Sequence, residues 1–237
     1  MSFIKYRGEI GKILFEPLYF EYDDNNVISL KIYKNEKEEN YIYFHFTFKD
    51  KISDLESAKK LTKKYLNDFT NLLLYLYGYS VKHLEVHEFT DTIFLKGSFD
   101  YVGTIEDNFE KIKDRITDRG LLCTLEENIS FRLYKSAMEI SDPFGKFMFL
   151  YSIIYDIFGN QAKLESYIKS TMNNVETLKR VKTNLKNEEI IVEETIFTWI
   201  RNHIGHTNKL TDIELIRGQV MKNTANLSNL VLKAIFS

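Results

Sequence analysis

"ETIFTWIRNHIGHTNK", residues 194–209, brings two of the chain's five histidines, an arginine and an asparagine into one short helical pattern. A helix turns about 100° per residue, so with Arg201 at 0°, Asn202 falls at about 100° and His206 at about 140°. Ile196, Phe197, Ile200 and Ile204 gather on the opposite side, between about 220° and about 320°. His206 lies four residues after Asn202, which makes their side chains neighbours on a helix. Gly205, between Arg201 and Asn202 on the wheel, leaves the backbone uncovered there and costs about 1 kcal/mol of helix stability against Ala. His203, at about 200° and nearer the apolar edge, suits a structural role.

The polar face of an amphipathic helix ordinarily meets only water. Trp199, the chain's single tryptophan, is out of place on such a face at about 160°. Another helix or a second subunit is therefore expected to cover that side.

Outward from this stretch, the sequence from Glu126 to the end reads as helical throughout. "EENISFRLYKSAMEI" is one helix. "DPFGKFMFLYSIIYDIFG" is a second, apolar almost all round, with Pro143 in its first turn and Gly159 at its end. "QAKLESYIKSTM" is a third, and "NNVETLKRVKTNLKNEE" a polar connection, partly helical. "TDIELIRGQVMKNTANLSNLVLKAIFS" closes the chain, with Thr211 and Glu214 as a capping box and Ile213, Ile216, Val220, Leu227, Val231 and Ala234 along one stripe.

The first half has a different period. "KILFEPLYFEY" and "VISLKIY", separated by "DDNN", suggest a hairpin, and "NYIYFHFTFKD" alternates Ile42, Phe44, Phe46 and Phe48 against Tyr41, Tyr43, His45 and Thr47. A helix follows, capped by Ser53 or Asp54 and stopped at Gly78. "VKHLEVHEF" and "DTIFLKGSFDYVG" read as strands around a Thr90-Asp91 turn, and a short charged helix leads to "DRG". The expected organisation is α+β: a mixed sheet-and-helix module over residues 1–120, then an all-α helical bundle over residues 121–237.

Composition narrows the class. The chain is 44% hydrophobic and 28% charged, as a globular protein is, and its net charge of −2 advertises no nucleic-acid field. Residues 1–120 carry 18 Lys+Arg against 21 Asp+Glu, and residues 121–237 carry 14 against 13, so neither half is basic. One cysteine, Cys123, excludes an internal disulfide and a cysteine-built zinc site. With no signal-peptide pattern in "MSFIKYRGEIGK" and no apolar run of about 18 residues, the expected location is the cytoplasm, away from the membrane. His83 and His87 lie about 13 Å apart if their segment is a strand, too far for one ion, and no metal or cofactor is expected. The tyrosine face of "YIYFHFTF" suits base stacking, but sheet packing explains it more simply.

"RNHIGH" resembles the arginine–asparagine–three residues–histidine signature of HEPN domains (higher eukaryotes and prokaryotes nucleotide-binding). The setting is similar too: the apolar helix "FMFLYSIIYDIFG", carrying an acidic residue, precedes the signature helix, and a long amphipathic helix follows it. The resemblance covers residues 126–237. It departs from the family pattern at Gly205 and Thr207, where a β-branched residue and a glycine are usual, and at Asp156, where glutamate is usual.

The resemblance implies an all-helical domain that dimerises side by side and brings two signature helices to one cleft. Many such domains cut RNA without metal, as toxins or in antiviral defence, and others only bind nucleotide, RNA or a protein partner. The roles it implies are His206 as acid/base, Arg201 as phosphate stabiliser, Asn202 as positioner and Asp156 as a possible orienting acid. A regulatory or antitoxin partner is a further implied possibility.

Overall fold

The computed structural model describes residues 2–11, 13–23, 26–35, 38–90, 92–93, 105–106, 109–183, 189–205 and 212–237. It divides into two compact units, Met1–Glu127 and Asn128–Ser237. The fold is α+β with a helical C-terminal region, and no helix among the described residues is long and apolar enough to cross a membrane.

The N-terminal unit contains β1 (Phe3–Glu9), β2 (Ile13–Leu14), β3 (Leu18–Glu21), β4 (Val27–Tyr33), β5 (Tyr41–Phe48), α1 (Leu55–Tyr77), β6 (Lys82–Phe89), β7 (Thr92–Ile93), β8 (Ile105–Glu106), α2 (Glu110–Arg115) and α3 (Arg119–Glu127). Six strands form one sheet in the order β3-β4-β5-β1-β6-β7, and β2 and β8 make a separate parallel pair. Ile4 and Tyr6 of β1 join Ile42, Phe44, Phe46 and Phe48 of β5 in the buried layer under α1, where the Tyr6 hydroxyl meets Thr62 Oγ1 at 2.7 Å. Phe44 stands edge-on to Phe69 of the same helix, at 5.4 Å between ring centres. Asp54 caps α1 by accepting from the Ser57 amide at 2.8 Å, and Gly78 ends it with φ 74°, a left-handed conformation that glycine takes without a Cβ penalty.

Strand β1 carries no expectation in the sequence pattern, yet it sits between β5 and β6 at the centre of the sheet. Lys5 and Arg7 alternate with the buried Ile4 and Tyr6, and partners across the ladder match their charges. Arg7 donates to Glu85 at 2.8 Å and lies over the Tyr41 ring at 4.6 Å, and Lys5 pairs with Glu88. Gly8 is required by close approach, because a Cβ there would come within 2.3 Å of Val81 Cγ1. On the same outer face Tyr41 and Tyr43 are buried, Tyr43 stacking on Tyr33 at 5.4 Å, so sheet packing occupies both rings.

The strand expected over residues 91–103 is described only at Thr92–Ile93, and the rest of it, with Asp91, lies outside the described residues. The boundary expected near Gly120 falls inside α3, whose Leu122 and Leu125 are buried, and the units divide after Glu127.

The C-terminal unit contains α4 (Ile129–Glu139), α5 (Pro143–Phe158), α6 (Gln161–Thr171), β9 (Thr177–Thr183), β10 (Glu189–Thr195), α7 (Ile196–Gly205) and α8 (Ile213–Ile235). Asn128, Asp142, Asn160 and Asp212 cap α4, α5, α6 and α8, each through its side-chain oxygen. Helix α5 packs against α4, α6, α7 and α8 and buries Phe147, Leu150, Tyr151, Ile153 and Ile154.

Three expectations are corrected here. The polar connection after α6 is an antiparallel hairpin, β9–β10, so the unit is not all-α. Its β-branched residues Thr177, Val181, Ile190, Ile191 and Val192 favour strand, and in the register Lys179 stands opposite Glu193, whose carboxylate accepts from the Thr177 hydroxyl at 2.6 Å. Asp212 caps α8 from the position after Thr211, and Thr211 itself lies outside the described residues. Ile213, assigned to the buried stripe of that helix, is 56% exposed.

Burial lowers the pKa of His45 and His87 on the outer face of the N-terminal sheet. Lys5 and Lys31 lower His45 further against Glu88, and Arg7 and Lys5 lower His87 further against Glu38 and Glu88. A depressed histidine pKa means that the fold favours the neutral ring, so this stability is full above the unfolded pKa of about 6.5 and is lost as pH falls below it. The urea midpoint of the N-terminal unit should therefore drop between about pH 7.5 and about pH 5.5, and the drop should shrink in His45→Gln/His87→Gln.

Candidate functional site

The helix α7 starts where strand β10 ends, and the junction is built around a carboxylate. Glu165 on α6 accepts from the Thr195 amide at 3.0 Å, from the Thr195 hydroxyl at 2.9 Å, and from the Thr198 hydroxyl. The Ile196 amide donates to the Glu176 carbonyl at 2.8 Å. A carboxylate at a helix N-terminus also complements the positive end of the helix dipole. Thr198 is shared with α5, its Oγ1 lying 2.9 Å from the Tyr151 hydroxyl.

Thr198 is 1% exposed and Asn202 is 5% exposed, so part of the polar face points into the unit, where the sequence led one to expect cover from another helix or a second subunit. Glu194, the second-last residue of β10, is also buried and accepts from Asn202 Nδ2 at 2.9 Å. Asn202 Oδ1 in turn accepts from Arg201 Nη1 at 3.0 Å. The strand-to-helix turn thus brings Glu194 alongside the second turn of the helix it precedes. Asn202 thus links Glu194 to Arg201, and its expected partner His206 lies outside the described residues.

Arg201 is half-buried and Gly205 is exposed, and among the described residues nothing beyond its chain neighbours and its own helix backbone comes within 4 Å of where a Cβ would stand. His206, with Thr207, lies outside the described residues. Trp199 is half-buried with its ring 3.8 Å from the His203 ring, and His203 Nδ1 lies 2.8 Å from the Trp199 carbonyl. A carbonyl only accepts, so Nδ1 carries the proton there. His203 is thereby held within its own helix.

Asp156 is exposed near the end of α5 and makes no hydrogen bond or ion pair among the described residues. The residue that α5 contributes is Tyr151. Burial pushes its hydroxyl up to about 12, opposed by the Thr198 hydrogen bond and by Arg201 and reinforced by Glu165 and Glu194. Hydrogen bonds define the cluster: Glu165 and Tyr151 meet at Thr198, and Glu194 and Arg201 meet at Asn202, one turn further along α7. Tyr151 stays a neutral hydroxyl at any ordinary pH.

Sequence patterning names Arg201 and Asn202 here and misses Tyr151, Glu165, Thr195, Thr198 and Glu194. Glu194 had a signal, standing at the edge of the quoted stretch, but strand-to-helix geometry is needed to bring it to Asn202. Glu165 had none, since one glutamate on an amphipathic helix resembles any other. Elsewhere, His83 takes φ 48° and is exposed, and among the described residues no three His, Cys, Asp or Glu side chains gather as a metal site. Cys123 is exposed, and its hydrogen bond and charge contact with Glu127 raise the thiol pKa, which opposes a reactive thiolate.

Glu165→Ala would strand the Thr195 amide and two buried hydroxyls. It should destabilise the C-terminal unit by about 2 kcal/mol, and Glu165→Gln by less. Urea unfolding followed by the fluorescence of Trp199, which reports on α7 itself, measures both.

Residues 130–234 match the family model described as methylamine utilization protein MauJ. The match lies within the C-terminal unit and spans α7 and the whole of the cluster. No curated protein and no solved structure matches the chain.

Proposed function

We propose that the C-terminal unit is a metal-independent endoribonuclease of the HEPN type, working as a homodimer in defence or as a regulated toxin. The observation that carries this reading is the hydrogen bond by which Asn202 orients the half-buried Arg201 guanidinium on the helix that also carries Gly205. A guanidinium fork held in one orientation suits the equatorial oxygens of a phosphate and stays charged at any relevant pH.

In this reading RNA supplies its own nucleophile. The 2′-hydroxyl loses its proton and attacks the adjacent phosphorus. The bond to the 5′-oxygen breaks and that oxygen takes up a proton, leaving a 2′,3′-cyclic phosphate and a 5′-hydroxyl. His206 is the proton carrier, histidine being the side-chain type whose ordinary pKa lies nearest neutrality. A two-fold dimer supplies two histidines and two arginines to one phosphate. Arg201 offsets the charge that builds on the pentacoordinate phosphorus.

A second reading is favoured by the charge of the cluster, which holds Glu165 and Glu194 against Arg201. Two carboxylates near one guanidinium weaken the attraction for a polyanion. In that reading the unit binds a nucleotide, RNA or a regulatory protein without cutting.

Incubating the full chain with mixed RNA in a chelator-containing buffer separates the two. Cleavage is expected in wild type and should fall by about 10²-fold or more in His206→Ala and Arg201→Ala, with the dimer intact by sedimentation. Equal cleavage by the variants would refute the assignment. Tight RNA binding without cleavage would select the second reading.

A further inference from the structure

The geometry points to Glu194 as the positioning residue that sets the direction of the Arg201 guanidinium, acting through Asn202. The argument is one of hydrogen-bond polarity. A carboxylate at Glu194 can only accept, and a guanidinium at Arg201 can only donate. Asn202 stands between them with one of each function, its NH2 to Glu194 at 2.9 Å and its carbonyl to Arg201 Nη1 at 3.0 Å. With an acceptor on one side and a donor on the other, the amide has one satisfied orientation. Its carbonyl is thereby turned to the arginine.

The link is stiff because both of its inner members are buried, Glu194 at 3% exposure and Asn202 at 5%. Water does not compete for these bonds, and a buried amide with one end unmet carries a desolvation penalty. Each member also stands on an ordered element, Glu194 at the end of β10 and Asn202 in α7, and Glu165 ties the junction between the two. Arg201 is only half-buried, so its remaining N–H groups are the part of the chain of bonds available to a ligand. Glu194 itself touches no ligand in this account.

This inference rests on the reading of Arg201 as a phosphate-binding group for its effect on activity, but not for its effect on Arg201 itself. The test therefore has two readouts. In the full chain labelled with 15N-arginine, with the Arg201 signal identified by its loss in R201K, rotation of the guanidinium about its C–N bonds is measured directly. Wild type and E194Q should both show slow rotation, because the glutamine carbonyl still accepts from Asn202. E194L, which fills the volume but accepts nothing, should show fast rotation.

On RNA, E194L should lower kcat by on the order of 10²-fold with KM little changed, and E194Q should stay near wild type. Should E194L fail to fold by Trp199 fluorescence, N202A cuts the same link from the helix side and should free Arg201 likewise. Slow rotation of Arg201 in E194L or N202A would overturn the proposal, and so would fast rotation in wild type. Loss in E194Q as complete as in E194L would overturn it too, by showing that charge and not the acceptor matters. Absence of RNA cleavage by wild type refutes the ribonuclease reading alone, since the rotation measurement still decides the role of Glu194.

Discussion

The Glu165 carboxylate, accepting from the Thr195 amide and from the hydroxyls of Thr195 and Thr198, fixes where β10 stops and α7 begins. The rest of the candidate site depends on that point. If the helix began a residue earlier or later, every side chain on it would turn by about 100°, and Asn202 would no longer face Glu194. A half-buried acid is an economical anchor because it gathers several donors that would otherwise be stranded at a helix start. Tyr151, shared through Thr198, extends the same set of bonds to α5.

The N-terminal unit solves a comparable problem in a sheet. Lys5 and Arg7 sit on its central strand, where charge is costly unless it is matched. Glu88 and Glu85, opposite them in the ladder, supply the match, and Tyr41 covers the guanidinium. Charged residues that look like surface in a one-dimensional pattern thus belong to a central strand. In the β9–β10 hairpin the register likewise sets Lys179 opposite Glu193.

Functionally, the arrangement changes what Asn202 is for. On a helical wheel it is one of three polar groups, free to touch a substrate. In the folded unit both ends of its amide are occupied, and it connects an acid to an arginine. Asp156, which the resemblance in the sequence suggests as the orienting acid, is exposed on another helix, and Glu194 and Glu165 provide the carboxylates of the cluster.

The sequence by itself determined the elements whose signals are local. The capped and glycine-stopped α1, the proline-started and glycine-stopped α5, the strand β5, the amphipathic α7 and the Arg201–Asn202 pair were all legible, because turn residues, periodicity and capping act within a few positions. Only the tertiary structure decided the place of β1 at the centre of its sheet, the hairpin before α7, the inward turn of Thr198 and Asn202, and the roles of Glu165 and Glu194. Each of these rests on a charge or hydrogen bond satisfied by a partner on another element, or across a turn that periodicity does not foresee. Burial of a polar group is set by whether such a partner arrives, and that is a property of the packed chain.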